Sequence, residues 1–363
     1  MGGTNATLMG GKSLTLIGAG NTGLAMALHA ARMPQVRRIT CIEPGRAEES
    51  NCQFQDITPR DVGVPKALIA ARRMREIRPE LEVIPIIARV EDVPWGLLRS
   101  DVICGCVDNR EARAQINTIA WRLGVPWVDA GIRAEGLLAR VSVFVPGRGA
   151  PCLECAWGEK DYANLAERYS CAGVRREAPP TGAQTSLGAL AAGMQAIECQ
   201  KLLEGRMEQS LAGKQVIIEA AYHHHYVSVL RRRDDCRFDH ESYGAVERVS
   251  ADWTVGQLGA LGGRPEGEPF ALAVEGKNWV TQLRCTRCGR EARVVRLQGR
   301  IGARALVCAC GGRREAVGFG LQPRLPISAA LRGRRLAALG LAAGDIVRIQ
   351  GTQSERLVEL VSE

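Results

Sequence analysis

Residues 13–23 read Ser13-Leu14-Thr15-Leu16-Ile17-Gly18-Ala19-Gly20-Asn21-Thr22-Gly23. Five residues suited to a strand run into three spaced glycines, and a helical pattern follows from about Asn21 to Arg32. The spacing is G-x-G-x-x-G. Glycine at those places lets a backbone approach a phosphate closely, and the helix start that follows supplies free N–H donors and positive dipole. A second strand, Arg38 to Ile42, ends at Glu43, twenty residues after Gly23, where a carboxylate can bond ribose hydroxyls. The competing reading is a tight turn with no ligand. The motif alone does not choose among NAD, FAD and ATP.

Outward from this start, helix and strand patterns alternate. Lys66–Ile77 reads as a helix with Leu68, Ile69, Met74 and Ile77 near one face. Leu81–Ile87 and Val102–Val107 read as strands, Arg110–Leu123 as a helix, and Pro126–Asp129 and Ala139–Val145 as further strands. The order predicts an α/β, Rossmann-like fold with a mostly parallel sheet. Ala156–Pro180 is polar and reads as an irregular loop. Thr185–Leu203 is a long small-residue helix closed by Gly205, and Gln215–Glu219 and Tyr226–Leu230 follow as strands. Composition shifts around Ser242–Thr254. The expected division is therefore a nucleotide-binding domain over 1–249 and a small C-terminal domain over 250–363.

The chain has 363 residues, 46% of them hydrophobic, enough for two folded domains and too apolar for a disordered chain. No apolar run is long enough to span a membrane, and Met1–Lys12 lacks the apolar core of a secretion signal. A cytoplasmic protein is expected. Net charge is +9, and +7 of it lies in Ala251–Glu363, with 17 Lys and Arg against 10 Asp and Glu. That stretch is either a solvated basic surface or a surface for an acidic partner. Its arginines are not interleaved with aromatics, so a protein partner is expected over nucleic acid.

Further residues point toward ATP. Cys106-Val107-Asp108-Asn109 closes a buried strand at the carboxyl edge of the sheet, where open α/β sheets bind ligands. Asp108 there could hold Mg²⁺ beside phosphates, or merely cap a helix. Lys66, at a helix start after Gly63-Val64-Pro65, could neutralise a pyrophosphate leaving group, or merely face solvent.

Taken in order, Gly-x-Gly-x-x-Gly, the acidic strand end, Ser50-Asn51, Gln55, Val62-Gly63-x-Pro65-Lys66, Asp108-Asn109, Gly124-Val125-Pro126 and Pro151-Cys152-x-x-Cys155 resemble the ubiquitin-activating superfamily. The resemblance is greatest to bacterial adenylyltransferases that charge ubiquitin-like sulfur carriers, and it covers roughly Lys12–His240. It implies that Gly18, Gly20 and Gly23 cradle ATP with Asn109 nearby, that Glu43 takes the ribose, that Asn51 and Lys66 take the phosphates with Gln55 in support, and that Asp108 takes Mg²⁺. The implied substrate is the C-terminal glycine of a small ubiquitin-like protein, whose carboxylate attacks the α-phosphate. Two departures stand out. The family's Asp-x-Asp-x-Val-x-x-Ser-Asn-Leu-x-Arg-Gln reads here Glu43-x-Gly45-x-Ala47-x-x-Ser50-Asn51-Cys52-x-Phe54-Gln55, so Phe54 replaces a phosphate-facing arginine. The family's N-terminal helix, which lends an arginine to a neighbouring subunit, is not visible either. Arg46 and Arg60 are candidate replacements, and a catalytically weak nucleotide-binding scaffold is the alternative.

Thirteen cysteines in a chain of this class suggest metal rather than disulfides. Cys152-x-x-Cys155 needs two more ligands for tetrahedral Zn²⁺. Family members supply a second pair near the end of the domain, where this chain has Cys236-x3-His240. Cys285-x2-Cys288 and Cys308-x-Cys310, each pair followed by glycine, read as a zinc ribbon within about 280–315. One ion shared between Cys152/Cys155 and Cys285/Cys288 is the other pairing. Cys171 lies where the family carries a reactive cysteine, and Arg168, Arg175 and Arg176 could favour its thiolate; an inert thiol is the alternative. Cys41, Cys52, Cys104, Cys106 and Cys199 read as packed small hydrophobes. His223-His224-His225 read as polar loop residues, not a metal site. The small residues of 185–203 match a region through which the family dimerises, so a homodimer is expected. The expected function is adenylation followed by thioester transfer to Cys171 and on to a conjugating partner. Sulfur-carrier adenylation and an NAD-dependent dehydrogenase are the alternatives.

Overall fold

The computed structural model describes residues 11–168, 183–261, 268–316, 318–352 and 355–362. Two units emerge: the chain up to Val93 together with Leu98–Ser242, and Pro94–Leu97 together with the chain from Tyr243 on.

In the first unit β1 (Lys12–Ile17), α1 (Asn21–Ala31), β2 (Val36–Ile42), α2 (Lys66–Ile77), β3 (Glu82–Ile86), β4 (Val102–Gly105), α3 (Arg110–Leu123) and β5 (Trp127–Arg133) alternate as the sequence pattern predicts. β6 (Leu138–Phe144), α4 (Glu159–Arg168), α5 (Thr185–Leu203), β7 (Lys214–Glu219) and β8 (His224–Val229) complete it. The strands form one sheet in the order β3-β2-β1-β4-β5-β6-β7-β8. The first five are parallel, and the last three are added antiparallel. Leu14, Leu16, Ile17, Val102, Ile103 and Cys104 are all buried, as expected of parallel strands covered on both faces. α5 packs on α1, β5 and β6. It closes the core with Leu187, Ala191, Ala192 and Cys199.

Two local expectations are corrected. Residues 159–168 form α4 where an irregular loop was expected. Its start is fixed by tertiary contacts that a polar sequence does not advertise: Asp161 accepts the Gly158 N–H at 2.9 Å and pairs with Arg110 at 2.7 Å, while the Tyr162 hydroxyl donates to Glu154 at 3.0 Å. His224 and His225 belong to strand β8 rather than a loop, and His223 takes φ +57° just before it.

The second unit holds β9 (Glu247–Ser250), α6 (Val255–Gly259), β10 (Ala271–Ala273), β11 (Trp279–Cys285), β12 (Glu291–Leu297), β13 (Arg314–Ala316), β14 (Leu321–Gln322), β15 (Arg324–Pro326), α7 (Ala329–Arg332), β16 (Ile346–Gln350) and β17 (Glu355–Val361). A five-stranded sheet runs β15-β10-β16-β17-β9, with β9 parallel to β17. A division at Val249 would therefore cut through a paired strand; the units part at Ser242/Tyr243. A smaller sheet, β12-β11-β13 with β14 also on β11, carries the four ribbon cysteines on and beside it. Trp279 and Leu297 anchor that smaller sheet in the core with Leu258, Leu272, Val347 and Leu360. Asp345, almost wholly buried, accepts the Arg300 guanidinium and the Ala342 N–H, joining the ribbon insert to the turn before β16.

Candidate active site and metal centres

The strand register lines up the carboxyl edge of the parallel sheet. Ile42 pairs with Ile17, Ile17 with Gly105, and Gly105 with Asp129. The segments leaving this row sit side by side at strand spacing, about 4.8 Å apart. They are Glu43, the glycine turn, Cys106–Asp108 and Ala130–Gly131.

The three turn glycines have different reasons to be glycine. Gly18 holds φ +96°, and a Cβ there would lie 2.5 Å from the Cys106 carbonyl oxygen. A Cβ on Gly23 would lie 2.0 Å from the Gly18 oxygen. Gly20, at the N-cap of α1, has nothing within 4 Å of that position. The fold demands glycine at the outer two and makes no such demand at the middle one.

Glu43 sits under the turn. Its Oε2 accepts the Ala19 N–H at 2.8 Å and its Oε1 accepts the Gly45 N–H at 2.7 Å. A carboxylate has about four acceptor positions, so lone pairs remain for a ribose. A Cβ on Gly45 would meet Glu43 Oε1 at 2.7 Å and Lys66 Cδ at 3.9 Å, so the Glu43 carboxylate and the Lys66 stem flank the same glycine. Lys66 opens α2, and its N–H bonds the Gly45 carbonyl at 2.9 Å.

Asp108 is exposed at the edge, and it is not the helix cap. That task falls to Asn109, whose Oδ1 accepts the Ala112 N–H at 2.8 Å while its amide donates to Asp108 at 3.2 Å. Asn109, expected among the ATP ligands, thus uses its side chain within the protein to cap α3 and orient Asp108. Asn51 lies in the 49–55 turn. Its Oδ1 accepts the Glu48 N–H at 3.0 Å, which leaves the amide group as its free donor. Gln55 follows, with a buried Oε1 that has no partner. Among the described residues neither side chain bonds Glu43, Lys66 or Asp108. Phe54 is half-buried; Arg46 is exposed and donates to the Gly63 carbonyl at 2.7 Å, and Arg60 is exposed. Cys171, with Arg175 and Arg176, lies outside the described residues.

One cluster escaped the sequence reading. Asp129, fully buried in β5, accepts Arg113 Nε at 2.9 Å and an Arg140 NH₂ group at 2.8 Å. The available signal was a carboxylate within an otherwise apolar strand, Trp127-Val128-Asp129-Ala130.

Among the described residues the metal-type side chains form two groups, each closed within one unit: Cys152, Cys155, Cys236 and His240, and Cys285, Cys288, Cys308 and Cys310. Within each group the ligand atoms lie within 4.8 Å of one another. Tetrahedral Zn²⁺ with bonds of about 2.3 Å places sulfurs about 3.8 Å apart. The observed separations are 3.8 Å for Cys152–Cys155 and for Cys152–Cys236, 3.5 Å for Cys285–Cys310 and 3.7 Å for Cys288–Cys308. His240 adopts φ +59°, which aims its Nε2 to within 3.2 Å of the Cys155 sulfur. Both sets fit zinc. Burial, with the nearby Arg232, lowers the His240 pKa and favours the neutral imidazole a metal needs. Trp121 lies edge-on to His240 at 5.0 Å, and Arg122 grips Asp239 with bonds of 2.8 and 2.7 Å. The Asn117 side-chain Oδ1 accepts the Leu153 N–H at 3.0 Å.

A parallel edge with a glycine turn, an acidic strand end and a lysine at a neighbouring helix start defines a nucleotide-binding α/β protein. Its particular family follows from comparison: the ThiF family model matches residues 10–238, and the chain belongs to that family. The chain is 26% identical to the sulfur carrier protein ThiS adenylyltransferase of Escherichia coli, over 52% of this chain and 71% of that one. It is 30% identical to the SAMP-activating enzyme E1 of Haloferax volcanii, over 52% of this chain and 66% of that one. The crystal structure of E. coli MccB shares the fold, with a TM-score of 0.52 at 17% identity, over 62% of this chain and 64% of that one.

Proposed function

We propose that this protein is an ATP-dependent adenylyltransferase that activates the C-terminal glycine of a small ubiquitin-like protein. The observation that carries the reading is the row along the sheet edge: Glu43 beneath the glycine turn, Lys66 beside it, and an Asp108 spared from capping by Asn109. Family membership and the adenylyltransferase names of the relatives support it.

In this reading Gly20 gives the phosphates access to the amides at the start of α1, and Glu43 accepts from the ribose. Lys66 and the Asn51 amide face the phosphates, with Gln55 in support. Asp108 would hold the Mg²⁺ that accompanies ATP. A carboxylate oxygen of the partner's last glycine attacks the α-phosphorus, the bond to pyrophosphate breaks, and an acyl-adenylate forms. The nucleophile is weak and repelled by ATP, so positioning and neutralising cations supply most of the catalysis. Cys171 would then attack the acyl carbon, lose its proton to solvent and release AMP, leaving a thioester for a conjugating enzyme recruited by the second unit. That unit lies beyond the family-matched residues, which favours conjugation. Adenylation of a sulfur carrier, as the name of the E. coli relative describes, is the second reading. Zn²⁺ at the two cysteine-rich groups is structural. Leu190 and Ile197, exposed on α5, support a homodimer.

ATP–pyrophosphate exchange with glycine-ended ubiquitin-like proteins tests this. Exchange lost in Asp108→Ala and kept in Cys171→Ala is the expected result. ATP binding without exchange for any such partner would instead mark a non-catalytic scaffold, and dinucleotide binding without ATP dependence a dehydrogenase.

A further inference from the structure

The ligands assigned above occupy the edge from β2 to β4. The next place in the row, at β5 and β6, is Asp129 with its two arginines. Asp129 is fully buried, Arg113 is 13% exposed and Arg140 is 38% exposed. Two guanidiniums on one carboxylate leave one positive charge uncompensated. Gly131 lies opposite Arg140 in the sheet, and a Cβ there would sit 2.9 Å from an Arg113 NH₂ group and 3.8 Å from one of Arg140. The glycine makes room for the Arg113 guanidinium, which packs where a side chain would otherwise stand, with that of Arg140 beside it. Arg140 also keeps a buried Nε with no partner. A structural ion pair with Asp129 needs only one of the two arginines.

We propose that Arg140, anchored by Asp129 and backed by Arg113, binds the glycine carboxylate of the incoming partner tail and sets its approach to ATP. Asp129 lies two strands from the end of β1, about 10 Å away. It is on the far side of Asp108 from Glu43 and Lys66. A nucleophile displacing pyrophosphate must come roughly opposite the leaving group, and among the described residues no nucleotide ligand is assigned on this side. The arrangement also supplies a cation to a site in which Phe54 replaces an arginine. The inference rests on the adenylation reading for its substrate, but a binding measurement without ATP tests it separately.

The probe is a fluorescent ten-residue peptide ending in Gly-Gly, made once with a free carboxylate and once with a C-terminal amide, and titrated by anisotropy. A charge-assisted arginine–carboxylate bond predicts that the wild type prefers the acid by about tenfold. Arg140→Ala removes the preference, Arg140→Lys keeps part of it, and Asp129→Asn weakens it by releasing the anchor. Melting curves accompany each variant, and Arg140→Ala leaves Asp129 paired with Arg113, so the fold is expected to survive. In pyrophosphate exchange, Arg140→Ala raises KM for the partner and not for ATP. Equal binding of acid and amide, no binding of either at millimolar peptide, or an unchanged preference in Arg140→Ala overturns the proposal. Exchange without charge-selective binding would sink this assignment and spare the adenylation reading; selective binding without exchange would do the reverse.

Discussion

Substituting alanine separately at Gly20 and Gly23 separates a ligand's demand from the fold's. At Gly23 the new methyl would lie 2.0 Å from the Gly18 oxygen, and neither backbone can move cheaply. Overpacking of that kind typically costs about 1–3 kcal/mol. A change of 1 kcal/mol moves the melting point of a unit this size by roughly 2–4 °C. Gly23→Ala should therefore melt roughly 2–12 °C lower by differential scanning fluorimetry. At Gly20 the methyl meets nothing within 4 Å, so stability should stay within about 0.5 kcal/mol. The same methyl would occupy the space through which a phosphate reaches the amides of α1. Loss of one charge-assisted hydrogen bond is worth about 1.5–3 kcal/mol, so ATP affinity by calorimetry should fall roughly tenfold to a hundredfold. Wild-type ATP affinity in a normally stable Gly20→Ala protein would refute the reasoning, because it would show that no phosphate lies over this turn.

Metal analysis should find two zinc ions per chain, falling to one in His240→Ala and to one in Cys285→Ser; an unchanged count in either variant would remove that residue from its ligand set. Asn109→Ala should lose about 1 kcal/mol of stability with the cap, and lose exchange activity more steeply than stability because Asp108 is no longer held; Asn109→Asp, which can still cap, should keep its stability. For Asp61, burial alone would raise the pKa, but hydrogen bonds from Arg72 and from the Thr58 N–H and hydroxyl hold the carboxyl well below its ordinary range. Its contribution is present above the unfolded value near pH 4 and is lost as pH falls below it, so acid denaturation of Asp61→Asn should show a shallower limb than wild type.

The parallel half of the sheet was legible because its strands carry apolar runs buried on both faces and its turns carry glycines with one physical use. Helix α5 matches its sequence reading from Thr185 to Leu203. The parts that were not legible depend on contacts between distant residues. Helix α4 rests on Arg110 and Glu154, and neither partner can be read from residues 159–168. The parallel pairing of β9 with β17 joins strands separated by the whole second unit. At the site, spacing pointed to Glu43, Lys66 and Asp108, but only the structure distinguishes the cap at Asn109 from the free carboxylate beside it. Asp129 was passed over because a lone acid in an apolar strand acquires meaning only when Arg113 and Arg140 reach it from α3 and β6.

Helix α3 ties these findings together. It spans 14 residues, about 21 Å, and its two ends lie at different sites. Asn109 caps its first turn and steers Asp108, and one turn on Arg113 reaches Asp129. Near its other end Asn117, Trp121 and Arg122 hold the segments that carry Cys152, Cys155, Cys236 and His240. A structural zinc contributes folding free energy to whatever it closes. At Cys152, Cys155, Cys236 and His240 such an ion would close the support of a helix whose opposite end presents the edge where adenylation is proposed. The metal can therefore bear on catalysis without touching ATP, through the angle at which α3 delivers Asp108 and Arg113. The cysteine knuckle and the carboxylate at the proposed nucleotide edge are thus both held by residues of one helix and its cap.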